Sequence, residues 1–337
     1  MDKTIDCVHG HKAGVMARCG LSEIVVALAL ASCAAAPAMA AKTMPDFGPN
    51  VLVFDPSMPA AAIQQQIDKV YATQRRNEFG PERNALLFLP GDYHVDIPIG
   101  FYTEVIGLGE SPDDVHITGN VHADASARNN NATTTFWRAS EGFSVTPTGG
   151  VMQWAVSQAV SFRRMHIRGN IVLHQHGGWA SGGWMSDDLI EGNVGAGPQQ
   201  QWISRNTEWN SWTGANWNMV FVGVPHPPAG DWPQPPYTTI AETPVVREKP
   251  FLEVNAAGDT SVRVPSLRTN SVGITWHGGS TPGRSIPISH FYIAHADVDT
   301  AATINAQLAK GKNLLFTPGI YELTSAIRVT RPNTVVM

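Results

Sequence analysis

The sequence predicts an all-β protein built as a parallel β-helix with short capping helices, and three observations carry that expectation. Charged residues make up 15% of the 337 residues, while Gly 31 and Pro 24 are abundant, against roughly 25% charge in ordinary soluble domains. The pattern I-x-G-N-[VI] occurs at Ile117, Ile167 and Ile190, with starts 50 and 23 residues apart. The block from Leu86 to Tyr93 (LLFLPGDY) recurs from Leu314 to Tyr321 (LLFTPGIY) with six of eight positions identical.

The short repeat sets the architecture. A spacing near 23 to 25 residues, with 50 read as two coils, is that of a solenoid whose strands stack on the coils above and below. Gly and Asn suit its corners because both accept a left-handed backbone at low cost. The long repeat sets the organisation. Each copy follows a strand-like run (Val51 to Phe54, Phe291 to Ile293) and a short amphipathic helix with an apolar stripe, Ile63, Ile67 and Val70 in the first and Ile304 and Leu308 in the second. One supersecondary unit therefore opens two similar domains, and the first helix is placed to cap an open coil end.

The first forty residues read as an export signal: Ile24 to Ala36 is apolar, follows Arg18 and closes on Ala38-Met39-Ala40. Met16 is an alternative start, and Leu30 to Cys33 matches a lipoprotein cleavage box, which would leave Cys33 lipid-bearing. All three cysteines, Cys7, Cys19 and Cys33, lie in this leader. Cleavage before Ala41 leaves no disulfide and a secreted or periplasmic product, with no membrane association unless Cys33 is lipidated. Domains are thus expected as a signal at 1–40, a first β-helix at 41–223, a Pro-rich connection at 224–289 and the start of a second β-helix at 290–337, truncated at Met337. Within the connection, Phe251 to Val264 reads as a hairpin.

The net charge of −5 and pI near 6.2 give no footprint for nucleic acid. No nucleophile elbow, phosphate loop or dinucleotide fingerprint is present. His174 and His176 have no third ligand at a matching spacing, so neither a metal nor any other cofactor is expected. Eight of the ten tryptophans fall between Trp137 and Trp217, and indole faces stack on the apolar faces of sugar rings. Trp209, Trp212 and Trp217, set among Asn, Ser, Thr and Gly, are expected to form an exposed platform. In a strand over Gln199-Gln200-Gln201, Gln199 and Gln201 would share a face with Gln200 opposite, and paired amides hold water or hydroxyls. A structural amide ladder fits the same residues equally well. Asp187, Asp188, Glu191 and Glu208 are the candidate carboxylates, without distinctive spacing.

Blocks along the mature chain, among them YTEVIGLG from Tyr102, FWR from Phe136, WAVSQA from Trp154, QQQW from Gln199, REKPF from Arg247 and FTPG from Phe316, resemble the bacterial laminarinases of glycoside hydrolase family 55. The resemblance implies two tandem right-handed β-helices, exo-acting and inverting hydrolysis of β-1,3-glucan in the cleft between them, and a general acid lying beyond Met337, so that this chain alone is inactive. It places water-positioning groups on the strand of Gln199 and Gln201 and near the strand following Trp217. Substrate contacts are expected at Gln200, Trp209, Trp212 and Trp217, and a monomer is expected as the working unit. Val222 stands where relatives carry serine, which leaves any hydroxyl role there in doubt. A non-catalytic glucan-binding or structural β-helix fragment is the alternative. A calcium-dependent lyase on the same architecture ranks last, hinted at only by Asp187-Asp188.

Overall fold

Strands of three to seven residues between Gly and Asn corners find their partners one coil away instead of in hairpins. In the computed structural model, which describes residues 44–337, nine strands stack in parallel in the order Val51–Phe54, Asn84–Phe88, Thr103–Gly107, Arg138–Glu141, Val160–Arg163, Trp184–Ser186, Gln201–Arg205, Asn218–Val222 and Tyr237–Ile240. A second sheet of eight strands runs through the same coils. Inward side chains of both sheets, such as Val105, Phe162 and Met185 from one and Ile117, Val145 and Ile167 from the other, form one core. The protein is therefore a parallel β-solenoid. The expected leader, its expected cleavage site and Cys33 lie outside the described residues, among which no helix is long and apolar enough to cross a membrane.

The I-x-G-N-[VI] pattern is the core ladder itself. Ile117 pairs with Val145, Val145 with Ile167, and Ile167 with Ile190, so the 50-residue interval holds two coils with Val145 as the intervening rung. The closing positions Ile171 and Val194 join Met152 in a second ladder, while Val121 pairs with Ile97. The glycine between them is required by close approach. A Cβ at Gly119, where φ is +149°, would stand 2.0 Å from the Val95 carbonyl oxygen.

The long repeat folds twice in the same way. Helix α1 (Ala60–Gln74) buries Ile63 and Ile67 against the first coil, and helix α2 (Ala301–Ala309) buries Ile304 and Leu308 beneath Leu314. In each copy the tyrosine hydroxyl donates to the last carbonyl of the first strand and to the carbonyl four residues upstream. Tyr93 reaches Phe54 at 3.0 Å and Leu89 at 2.8 Å. Tyr321 reaches Ala294 at 2.6 Å and Thr317 at 3.1 Å. Each ring also meets the phenylalanine of its block edge-on, at 5.0 and 4.9 Å.

Between the copies, Phe251–Val254, Thr260–Pro265 and Gly283–Pro287 form a three-stranded antiparallel sheet. Its apolar side packs with Phe47, Ala85, Leu87, Leu108, Phe291 and Leu315 into a second core. Tyr237–Ile240 joins the nine-stranded sheet as its edge. The prolines at 233, 235 and 236 all precede that strand, where a missing N–H costs no ladder bond.

Two further ties hold this segment to the solenoid. Asp187, with φ at +63°, accepts from the Thr275 N–H at 2.5 Å and the Thr275 hydroxyl at 2.7 Å, while its own carbonyl accepts from the Trp276 indole at 2.8 Å. Glu208 accepts from the Ile274 N–H at 3.0 Å and pairs with His277 at 2.7 Å. Burial, seconded by the neighbouring Glu248, lifts the Asp187 carboxyl to about 7.

Candidate functional site: a cleft along the nine-stranded sheet

Outward-facing residues of the nine-stranded sheet lie in three columns set by its register. Thr103 pairs with Arg138 and Arg138 with Val160. Ser161 pairs with Trp184 and Trp184 with Ile203. One column therefore runs Tyr102, Trp137, Ala159, Gly182, Gln201. The next runs Glu104, Ala139, Ser161, Trp184, Ile203, and the last runs Ile106, Glu141, Arg163, Ser186, Arg205. Lys249, Phe251 and Leu252 from the antiparallel sheet and Leu315 to Gly319 from the second repeat stand opposite. Together they enclose a cleft of about 1010 Å³.

The charges on this wall are already engaged with one another. Lys249 binds Glu141 at 2.7 Å and Glu104 at 3.4 Å. Burial works against its ammonium, but Glu141 and Glu104 outweigh it and hold the lysine above its ordinary pKa. Arg163 donates to the Ser161 and Ser186 hydroxyls, each at 3.0 Å, and the Trp184 indole donates to Ser186 at 3.0 Å. Arg138 is buried beneath the Phe101 ring, 4.8 Å from its centroid, and donates to the Ile99 carbonyl at 2.6 Å. Burial lowers its pKa to about 10.

Of the residues predicted from sequence, Gln201 lines the cleft. Its side-chain amide makes no hydrogen bond with any described residue and is half-exposed, so it is available to a ligand or water. Gln199 does not share that face, and its predicted water-positioning role is corrected. The strand starts only at Gln201, and Gln199 sits in a corner, fully buried. Its oxygen accepts from the Gly182 N–H at 2.6 Å, and its nitrogen donates to the Leu173 and Val156 carbonyls at 3.1 and 3.3 Å. Such a saturated amide braces three coils. Gln200 accepts from the Ser181 hydroxyl at 2.5 Å and lies outside the cleft lining.

The expected tryptophan platform is also corrected. Trp209 pairs with Ile190 and Trp212 with Val194, so both continue the two core ladders. They are 6% and 7% exposed and pack on each other and on Phe221. The polar residues around them are the outward-facing alternates. Trp217 is 56% exposed, on the surface beside the cleft lining. Among the candidate acids, Asp187 and Asp188 are buried, Glu191 pairs with His166 at 3.1 Å and Glu208 with His277, all away from the cleft. Sequence reasoning missed Glu104 and Glu141, and held Trp137 only as one of the eight clustered tryptophans. Alternation within Tyr102 to Ile106, Trp137 to Glu141 and Ala159 to Arg163, aligned as rungs, is the signal that finds them.

Fold and cleft together define a parallel β-solenoid protein carrying a long groove rimmed by aromatic rings, in which Gln158, Gln201 and Lys249 stand beside apolar side chains such as Leu87, Ile106 and Leu252, the class of architecture suited to an extended saccharide. The comparisons with known proteins narrow the class. By sequence and by fold the chain is similar to Lam55 proteins. Residues 291–337 match the LAM55 pectate lyase-like domain. The chain is similar to an exo-beta-1,3-glucanase of Streptomyces sp. SirexAA-E, at 47% identity over 294 residues, 87% of this chain and 48% of that protein. It is similar in structure to sacteLam55A of the same organism, with a TM-score of 0.84 over 87% of this chain and 53% of that one, and equally to a variant of sacteLam55A in complex with glucose. The chain thus spans about half the length of the relatives it matches.

Proposed function

We propose that this chain is the first half of an exported, exo-acting β-1,3-glucanase and supplies one wall of the cleft in which β-1,3-glucan is hydrolysed with inversion. What carries the reading is the free Gln201 amide in a cleft on a chain 47% identical to an exo-beta-1,3-glucanase. Inversion requires a water on one face of the sugar and an acid on the other. An amide that accepts from a water and donates to a sugar hydroxyl can orient that water, and Gln201 is assigned this role. The cleft carboxylates Glu104 and Glu141 both pair with Lys249, and burial raises the Glu104 carboxyl. As the resemblance to family 55 implies, the general acid is assigned to the second half of a longer parent protein.

The test is glucose release from laminarin by this chain and by a chimera in which the second half of the Streptomyces relative follows it. Glucose from the chimera, appearing first as the α-anomer by proton NMR and reduced at least tenfold by Gln201→Ala, is expected. An inert chimera that folds and still binds laminarin would instead favour a glucan-binding module.

A further inference from the structure

One column of the cleft carries an interrupted aromatic stack. Tyr102, Trp137, Ala159 and Gly182 occupy successive left-handed corners, with φ of +50°, +53°, +56° and +94°. They are joined by hydrogen bonds from the Tyr102 N–H to the Trp137 carbonyl at 2.6 Å and from the Trp137 N–H to the Ala159 carbonyl at 3.0 Å. Arg83 lies 3.3 Å over the Tyr102 ring, and Tyr102 stacks on Trp137 at 5.2 Å and 6°. The next two rungs hold only a methyl group and a hydrogen. Phe79 and Phe136 meet Trp137 at 68° and 53°, so neither stacks on the face that Tyr102 leaves open.

Rungs are about 4.8 Å apart, so the Trp137 and Gln201 rungs, three steps apart with the two small residues between them, stand about 14 Å from each other. A pyranose stacked on Trp137 at a carbon contact distance of about 4 Å fits at the Ala159 rung of that interval. A Cβ at Gly182 would stand 3.1 Å from the Gln201 amide nitrogen and 3.3 Å from the Gln158 side chain, so the Gln201 amide leans back over the Gly182 rung, toward the Trp137 platform. We propose that the step over Ala159 and Gly182 is a glucosyl-binding subsite, with the open face of the Trp137 indole as its platform and the Gln201 amide as its polar partner. The subsite rests on the β-1,3-glucan reading above and names where along the cleft a sugar ring sits.

The test is calorimetric titration of the 337-residue chain with laminaritriose, alongside Trp137→Ala and Ala159→Trp, each checked by circular dichroism for an unchanged fold. Ala159→Trp is built to lay a third ring on Trp137 at a corner whose φ already matches that of Trp137, filling the step while keeping the platform residue. Binding weakened about tenfold or more in both variants supports the subsite. Unchanged binding in the two folded variants overturns it and leaves the glucan reading standing. A wild-type chain that binds no laminaritriose and no laminarin overturns the glucan reading and the subsite with it.

Discussion

Replacing Asp187 by asparagine tests how the antiparallel segment is held to the solenoid. The carboxyl is 1% exposed, and burial together with Glu248 raises it from 3.8 to about 7. Arg164 and Asp188 also act on it, in opposite directions. Because the folded pKa lies above the unfolded value, the folded state binds the proton more tightly. The group costs nothing below about pH 4, and stability falls as pH rises through the window from 4 to 7. A shift of about three units at 1.36 kcal/mol each sets an upper value of about 4 kcal/mol for that loss. The asparagine side chain would keep an oxygen for Thr275 and carry no charge, so its contribution is independent of pH. In urea unfolding at pH 4.5, 6 and 8, the difference between wild type and Asp187→Asn should move in the variant's favour by about 2–4 kcal/mol from the lowest to the highest pH. A difference constant across the three would refute the assignment of the buried charge to Asp187.

Three other substitutions probe the coil. Gly183→Ala puts a Cβ 2.1 Å from the Trp202 ring, which is itself fully buried, and thermal unfolding should show a loss of about 1–3 kcal/mol or more. Trp212→Ala should cost about 3–5 kcal/mol while Trp217→Ala stays within about 0.5 kcal/mol; equal costs by urea titration would contradict the core placement of Trp212. Tyr93→Phe removes two hydrogen bonds to carbonyl oxygens and should cost about 1–3 kcal/mol by the same assay, with Tyr321→Phe expected to do the same at the second copy.

The coil was legible where one residue type is demanded at a fixed interval. Ile117, Ile167 and Ile190 fall on one core ladder because only an apolar rung fits there, and the paired tyrosines at 93 and 321 mark equivalent corners. The same rule hid the site. Trp209 and Trp212 look like surface residues because their neighbours are polar, yet alternation puts those neighbours outside and the indoles on rungs already named by Ile190 and Val194. Gln199 and Gln201 are two apart, but the strand that would place them on one face begins only at Gln201. Trp137 becomes legible only when Tyr102, Ala159 and Gly182 are aligned with it. That alignment requires coil lengths that vary between corners, which a fixed repeat does not supply.

The most direct measurement of the central claim is the proton–nitrogen NMR spectrum of this chain during titration with laminaritriose. The account predicts that the Gln201 side-chain amide and the Trp137 indole N–H shift together and saturate together while the exposed Trp179 and Trp232 indoles stay in place. Shifts confined to indoles outside the cleft, or none at any ligand concentration, would contradict it.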